Sequence, residues 1–260
     1  MKTVIFCGGQ GTRLREETEY RPKPLVPIGK FPILWHIMKI YSSFNHNDFI
    51  LALGYKGDMI KEYFMQYRWR STDFTLNTKT KKIDYHNYHD LEDWNITFSD
   101  TGKESLTSKR LAKLKKHLEI EENFMLTYGD GISDIDLAEL IKYHSKKGKI
   151  ITIVGINPLS QYGIIDIDSE GIATEFKEKP GTDDVINGGF MVINKTIFKY
   201  ISEDNDIMFE DVIKDLSKKG EVAIYQHKGF WHSMDTYRDY LKLNKLWDNN
   251  ERAWTKFWDK

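Results

Sequence analysis

The chain alternates short continuous apolar runs with stretches of helical spacing. Thr3 to Cys7 is one such run, β-branched or apolar throughout, and it ends abruptly at Gly8 and Gly9. A run of that length closed by glycines predicts a buried strand feeding a glycine-rich loop. Ile33, Ile37 and Ile40 then recur three or four positions apart, flanked by Trp35 and Met38, and predict a helix over 33–43. Further apolar runs predict strands over 49–53, 124–128, 150–156, 188–193 and 222–227. Helical spacing returns over 58–67, 105–117, 137–146, 209–218 and 236–246. Strands alternating with helices in this order predict βαβ units. The expected fold class is α/β: a Rossmann-like mixed, mostly parallel sheet with helices on both faces.

Three segments depart from that rhythm. Over 71–101, Phe74, Leu76, Ile83, Tyr85, Ile96 and Phe98 fall in short runs, which predicts a small β-rich insertion. Segments 164–167 and 173–177 flank Ser169-Glu170-Gly171 and predict a hairpin. The stretch 247–260 is an aromatic tail carrying Trp247, Trp254, Phe257 and Trp258. With no repeat or linker to divide it, the chain is expected to form one domain over 1–260.

Composition narrows the function classes. A chain of 260 residues suits one α/β domain. Charged residues make up 30% of it, yet the net charge is −1. No global field points to nucleic acid or to a membrane surface, so any phosphate-binding charge must be local. Cys7 has no second cysteine to pair with, which suits a reducing compartment. No secretory segment opens the sequence and no apolar run is long enough to span a bilayer. A soluble cytoplasmic protein is expected, and seven tryptophans suggest a homo-oligomer.

Five local patterns carry chemistry. The loop Gly8-Gly9-Gln10-Gly11-Thr12-Arg13-Leu14 offers closely approachable amides, a hydroxyl and a guanidinium fork, which suits a triphosphate. It equally suits a tight strand-to-helix turn. Its glycine spacing fits neither dinucleotide folds nor P-loops. Lys23 stands between Pro22 and Pro24, so a rigid segment presents its ammonium; the alternative is a stiff linker. Tyr128-Gly129-Asp130-Gly131 ends a buried strand, where ligands sit in open α/β sheets and a carboxylate can hold Mg²⁺. Asp134 and Asp136 read as helix-capping acids. Glu178-Lys179-Pro180 and Asn187-Gly188-Gly189 could meet a sugar phosphate, or form a turn with an ordinary ion pair. Asp235, after Phe230-Trp231-His232, is either an N-cap or a second metal carboxylate. His232 is not expected to act as a base, because phosphate oxygens attack without one.

Together these patterns resemble the sugar 1-phosphate nucleotidylyltransferase family. Its Gly-Gly-x-Gly-Thr-Arg-Leu and Pro-Lys-Pro signature matches Gly8 to Leu14 and Pro22 to Pro24. Its magnesium aspartates match Asp130 and Asp235, and its Glu-Lys-Pro matches Glu178 to Pro180. Trp94 to Thr97, Asp100 to Gly102, Ile186 to Phe190 and Gly229 to Thr236 are similar to the branch that uses CTP and glucose 1-phosphate. The resemblance implies a single Mg²⁺-assisted in-line transfer of a cytidylyl group to a sugar 1-phosphate. It implies nucleotide contacts from Gly8, Gly9, Gly11, Thr12, Arg13, Lys23, Thr101, Arg110 and Gly129. It implies sugar-phosphate contacts from Gly163, Glu178, Lys179, Asn187 and Gly188. Base contacts are expected from the Gly8–Gly9 backbone and the 101–110 segment, with Arg110 as one candidate, against the alternative that it belongs to a solvated helix face with Lys109, Lys113, Lys115 and Lys116. Rival readings are a guanylyl- or uridylyltransferase, a cytidylyltransferase using another sugar phosphate, a silent nucleotide-sugar-binding homologue, and an NAD-dependent oxidoreductase.

Overall fold

A computed structural model describes residues 1–86, 91–158, 164–167, 169–177 and 184–258. Its centre is a seven-stranded sheet. In spatial order the strands are Val222–His227, Ile151–Ile156, Ile186–Asn194, Asn123–Tyr128, Thr3–Cys7, Asp48–Leu53 and Asn95–Asp100. Ile186–Asn194 is antiparallel to both neighbours, and every other pairing is parallel. The sheet is thus mixed and mostly parallel, as the alternating pattern implies. The continuous apolar runs have a direct cause: Thr3–Cys7 is buried at every position, with helices over both faces.

Alternate side chains of the first strand serve two cores. Ile5 and Cys7 pack with Ile33, Ile37, Leu140 and Leu243, from helices Ile33–Ser42, Leu137–Lys147 and Tyr237–Asp248. Val4 and Phe6 pack on the opposite face with Leu111, Val212 and Leu216, from helices Thr107–Lys113 and Phe209–Lys218. The result is a three-layer sandwich with the first strand at its middle.

Several expectations change. Asn95–Asp100, assigned above to the β-rich insertion, is the parallel edge strand beside Asp48–Leu53. Its mixed exposure reflects that edge position, and a period of two cannot say which sheet a strand joins. What remains separate is the hairpin of Phe74–Leu76 with Ile83–Tyr85. The helix expected over 105–117 is two short pieces, Thr107–Lys113 and Lys115–Leu118, joined at Leu114. The hairpin Ile164–Ile167 with Ala173–Lys177 pairs antiparallel.

The aromatic tail is used inside the chain. Trp254 is 1% exposed, and Trp247, Trp254 and Trp258 surround the His36 ring at 5.0–6.1 Å between centroids. Those tryptophans therefore cover the chain's own core, and they cease to be a reason to expect a partner. Among the described residues no helix is long and apolar enough to cross a membrane.

Candidate active site

The sheet reverses its winding at the first strand. Later strands lie on either side of it, so the carboxyl ends of Thr3–Cys7 and Asn123–Tyr128 open a crevice between them. A cleft of about 400 Å³ occupies that position. Gly8, Gly9, Gly11, Thr12 and Arg13 line one side, and Gly129 and Asp130 another. Lys23 and Arg110 also reach it.

Local geometry explains the glycine loop. Gly11 has φ +65°, a left-handed conformation that starts the short turn Thr12–Leu14. A side chain there would also meet Thr18 Cγ2 at 2.7 Å. Thr18 Oγ1 donates to the Gly11 carbonyl at 2.9 Å and pins the loop from behind. Gly129 must be glycine for a different reason: a Cβ would lie 2.8 Å from the Phe6 carbonyl.

Asp130 and Asp235 are brought together by a two-stranded ribbon. Gly131–Ser133 pairs antiparallel with Trp231–Ser233, in register Ser233 to Gly131. The Met234 amide then donates to the Asp130 carbonyl at 2.8 Å, so the residues flanking the ribbon end side by side. Lys23 fills the space between them. Its Nζ lies 2.6 Å from Asp130 Oδ2 and 2.8 Å from Asp235 Oδ1, with its side chain only 12% exposed. Arg13 Nη2 reaches the same Asp235 oxygen at 2.7 Å, and Ser233 Oγ donates to Asp235 Oδ2 at 2.9 Å. Burial alone would lower the Lys23 ammonium pKa; Asp130 and then Asp235 outweigh it and raise it. Burial likewise works to raise Asp235, and Lys23, Ser233 and Arg13 bring it below its usual value.

The two carboxylates converge on one cationic point, which suits a hard cation. Among the described residues no group of three or more acidic, His or Cys side chains could hold a metal unaided. Two carboxylates fit Mg²⁺, which takes one or two from protein and the remainder from water and substrate phosphates.

Other expected residues lie differently. Arg110 is 5% exposed, not part of a solvated face. Its guanidinium donates to the carbonyls of Gly8, Leu53, Gly102 and Lys103 and to Thr101 Oγ1, at 2.8–3.2 Å. Thr101 is buried, and its hydroxyl in turn donates to the Leu53 carbonyl at 2.6 Å. Asn187 is exposed, and its Oδ1 accepts from the Gly189 amide at 2.9 Å. Gly188 is buried, and a Cβ there would lie 2.9 Å from the Val154 carbonyl. Trp231 Nε1 donates to the Gly188 carbonyl at 2.7 Å and so ties this strand to the ribbon beside Asp130. Gly163, Glu178 and Lys179 lie outside the described residues.

One capping assignment is corrected, and the N-cap alternative for Asp235 is excluded. Asp136 caps helix Leu137–Lys147, but Asp134 instead accepts from His227 Nε2 at 2.9 Å. Thr236, not Asp235, caps the helix Tyr237–Asp248 in a capping box with Asp239. The Asp235 carboxylate is thereby left to pair with Lys23 and Arg13. His232 points toward Asp239, 3.2 Å away. The far wall of the cleft is lined by Ser105, Leu106, Thr107 and Met208, the first three from the 101–110 segment expected to supply base contacts. Three hydrogen bonds join the two segments that form it: the Leu106 amide to Asp206, the Ser108 amide to the Ile207 carbonyl, and the Phe209 amide to Thr107 Oγ1. Tyr128 OH donates to Glu210 Oε1 at 2.5 Å beside that wall.

Comparison with known proteins gives a consistent picture. A family model described as nucleotidyl transferase matches residues 2–250. The Bacillus subtilis (strain 168) protein named "Probable glucose-1-phosphate cytidylyltransferase" is 46% identical over 99% of this chain and 100% of its own. The glucose-1-phosphate cytidylyltransferase of Salmonella typhi is 41% identical over the full length of both. The crystal structure of HddC from Yersinia pseudotuberculosis superposes with a TM-score of 0.67 and 23% identity. It covers 95% of this chain and 99% of that one, a likeness of fold.

Proposed function

From the premise that this chain belongs to the nucleotidyl transferase family, and is an enzyme of that class, we propose that it transfers a cytidylyl group from CTP to glucose 1-phosphate. The products are CDP-glucose and pyrophosphate. A phosphate oxygen of the sugar attacks the α-phosphorus, that P–O bond forms, and the bond from the α-phosphorus to the bridging oxygen breaks. The observation that carries this reading is the end-to-end likeness, above 40% identity, to proteins named for it.

Both reactants are anions, so the barrier is dominated by repulsion and alignment. Catalysis is then positioning and charge stabilisation. The amides of Gly8, Gly9 and Gly11, with Thr12 and Arg13, hold the β- and γ-phosphates. Lys23 moves to the α-phosphate. Asp130 and Asp235 hold Mg²⁺, which when bound neutralises charge on the triphosphate. Lys179, Glu178 and Gly163 are assigned to the sugar phosphate on sequence resemblance, together with Asn187 and Gly188. Arg110 and Thr101 serve the nucleotide from beneath, as supports for the Gly8 loop. The setting is cytoplasmic. Homo-oligomerisation draws its support from apolar side chains left exposed on the hairpin, Phe74, Leu76 and Ile83, and from Met65 and Trp69 before it.

The test is product analysis. Chromatography of a reaction containing CTP, glucose 1-phosphate and Mg²⁺ should resolve CDP-glucose and pyrophosphate in equal amounts, and chelation should stop their formation. Failure to form a nucleotide sugar from any nucleoside triphosphate and sugar 1-phosphate would overturn the proposal.

A further inference from the structure

The ammonium of Lys23 occupies the point on which Asp130 and Asp235 converge, at 2.6 and 2.8 Å. Arg13 occupies the second approach to Asp235. Two positive and two negative charges therefore cancel in the nucleotide-free chain. A divalent cation entering here would have to break three short ion pairs, two of them made by the Lys23 side chain, which is mostly removed from water. Removing one member of such a pair is costly, because the charge left behind is poorly solvated. The free enzyme's carboxylates are consequently not available ligands.

The surroundings supply the means of release. The Lys23 stem runs along the glycine loop: a Cβ on Gly11 would lie 3.3 Å from Lys23 Cβ. Pro22 and Pro24 fix the backbone on both sides, leaving motion to the flexible four-carbon side chain. Lys23 thus stands between the loop proposed to cradle phosphates and the carboxylates proposed to hold metal. A triphosphate on the loop offers its ammonium, and that of no other lysine in the cleft lining, an alternative partner.

We infer that Lys23 is an internal counter-ion that holds the metal position closed until nucleotide phosphates draw its ammonium away, so that metal and nucleotide bind as a coupled pair. The inference rests on the proposed roles of Asp130 and Asp235. Coupling of this kind is reciprocal: whatever the nucleotide adds to metal affinity, the metal adds to nucleotide affinity.

The test is direct Mn²⁺ binding, followed by electron paramagnetic resonance on the nucleotide-free protein. Lys23→Met, which keeps the side-chain length without the charge, should bind Mn²⁺ at least tenfold more tightly than wild type. Lys23→Arg, which keeps the charge, should stay within about threefold of wild type. A non-hydrolysable CTP analogue should raise the wild-type affinity at least tenfold and that of Lys23→Met much less. Adding Asp130→Asn to Lys23→Met should abolish the gain, and thermal melts identify any variant that fails to fold. Equal Mn²⁺ affinities for nucleotide-free wild type and Lys23→Met would overturn the inference. If wild type still binds Mn²⁺ through Asp130 once the CTP analogue is present, the proposed function survives that outcome. Mn²⁺ binding that ignores Asp130→Asn in every state would overturn both.

Discussion

Arg110 lies directly beneath Gly8: its Nη2 donates to the Gly8 carbonyl at 3.2 Å, and a Cβ on Gly8 would fall 2.2 Å from its Nη1. The same guanidinium is bonded to Leu53, Thr101, Gly102 and Lys103, so one side chain ties the ends of three neighbouring parallel strands. Replacing Arg110 by Met should leave several carbonyls without a donor and cost about 2–4 kcal/mol of stability. Lysine should restore little of it, since a single ammonium cannot reproduce the fork. Urea denaturation of the two variants checks this; a loss below about 1 kcal/mol in Arg110→Met would count against the strut.

The loop above should tolerate side chains unevenly. Gly8→Ala drives a methyl into the Arg110 guanidinium and should lower both stability and nucleotide affinity. Gly9→Ala has nothing within 4 Å of its Cβ and should leave stability within about 0.5 kcal/mol. Comparing the two variants by melting and by CTP binding separates crowding from a general intolerance of the loop to alanine.

His36 gives the chain an acid sensitivity unrelated to the cleft. It is fully buried, its Nε2 bonded to the Ile28 carbonyl at 2.9 Å and its Nδ1 accepting from Trp254 Nε1 at 3.3 Å. Only the neutral ring serves both partners. Burial pulls its pKa down to about 4 from 6.5. Between those values the unfolded chain binds the extra proton and the folded chain does not, so stability rises with pH. The contribution of His36, about 3 kcal/mol, is fully present above pH 6.5 and is lost as pH falls toward 4. His46 is lowered in the same direction. Unfolding free energies measured from pH 7 to 4.5 should fall more steeply in wild type than in His36→Gln; parallel slopes would assign the acid sensitivity to other groups.

Asp130→Asn and Asp235→Asn should each lower kcat by about 10²-fold or more, through lost charge stabilisation in the transition state. His232→Gln should stay within about fivefold, because a true general base contributes about 10² or more. Steady-state kinetics at saturating Mg²⁺ decide it. A large loss in His232→Gln with unchanged activity in Asp130→Asn would reverse the assignment.

Much of the fold was legible because the main strands are continuous apolar runs with turn residues at their ends. The helix Phe209–Lys218 and the strand Val222–His227 fall where spacing alone puts them. Contacts distant in sequence were not legible. Lys23 is 107 residues from Asp130 and 212 from Asp235, and no local pattern states that they meet. Asp134 reads as a cap until His227, 93 residues away, supplies its partner. Arg110 sits among four lysines over 109–116, and a charge run of that kind reads as solvated. Only the approach of three strand ends reveals it as buried. Ser105, Leu106, Thr107 and Met208 line the cleft, and the hydrogen bonds that hold segments 105–108 and 206–209 together leave no sequence signature.

The substrate assignment is the central claim, and a pyrophosphate-release panel tests it most directly: four nucleoside triphosphates, each against several sugar 1-phosphates. CTP with glucose 1-phosphate should give the highest kcat/KM. UTP should be rejected strongly, because a site built to hydrogen-bond the cytosine amino group would leave a buried group unpaired; such discrimination reaches about 10⁴. A preference for GTP or UTP, or CTP activity confined to a different sugar phosphate, would contradict the account.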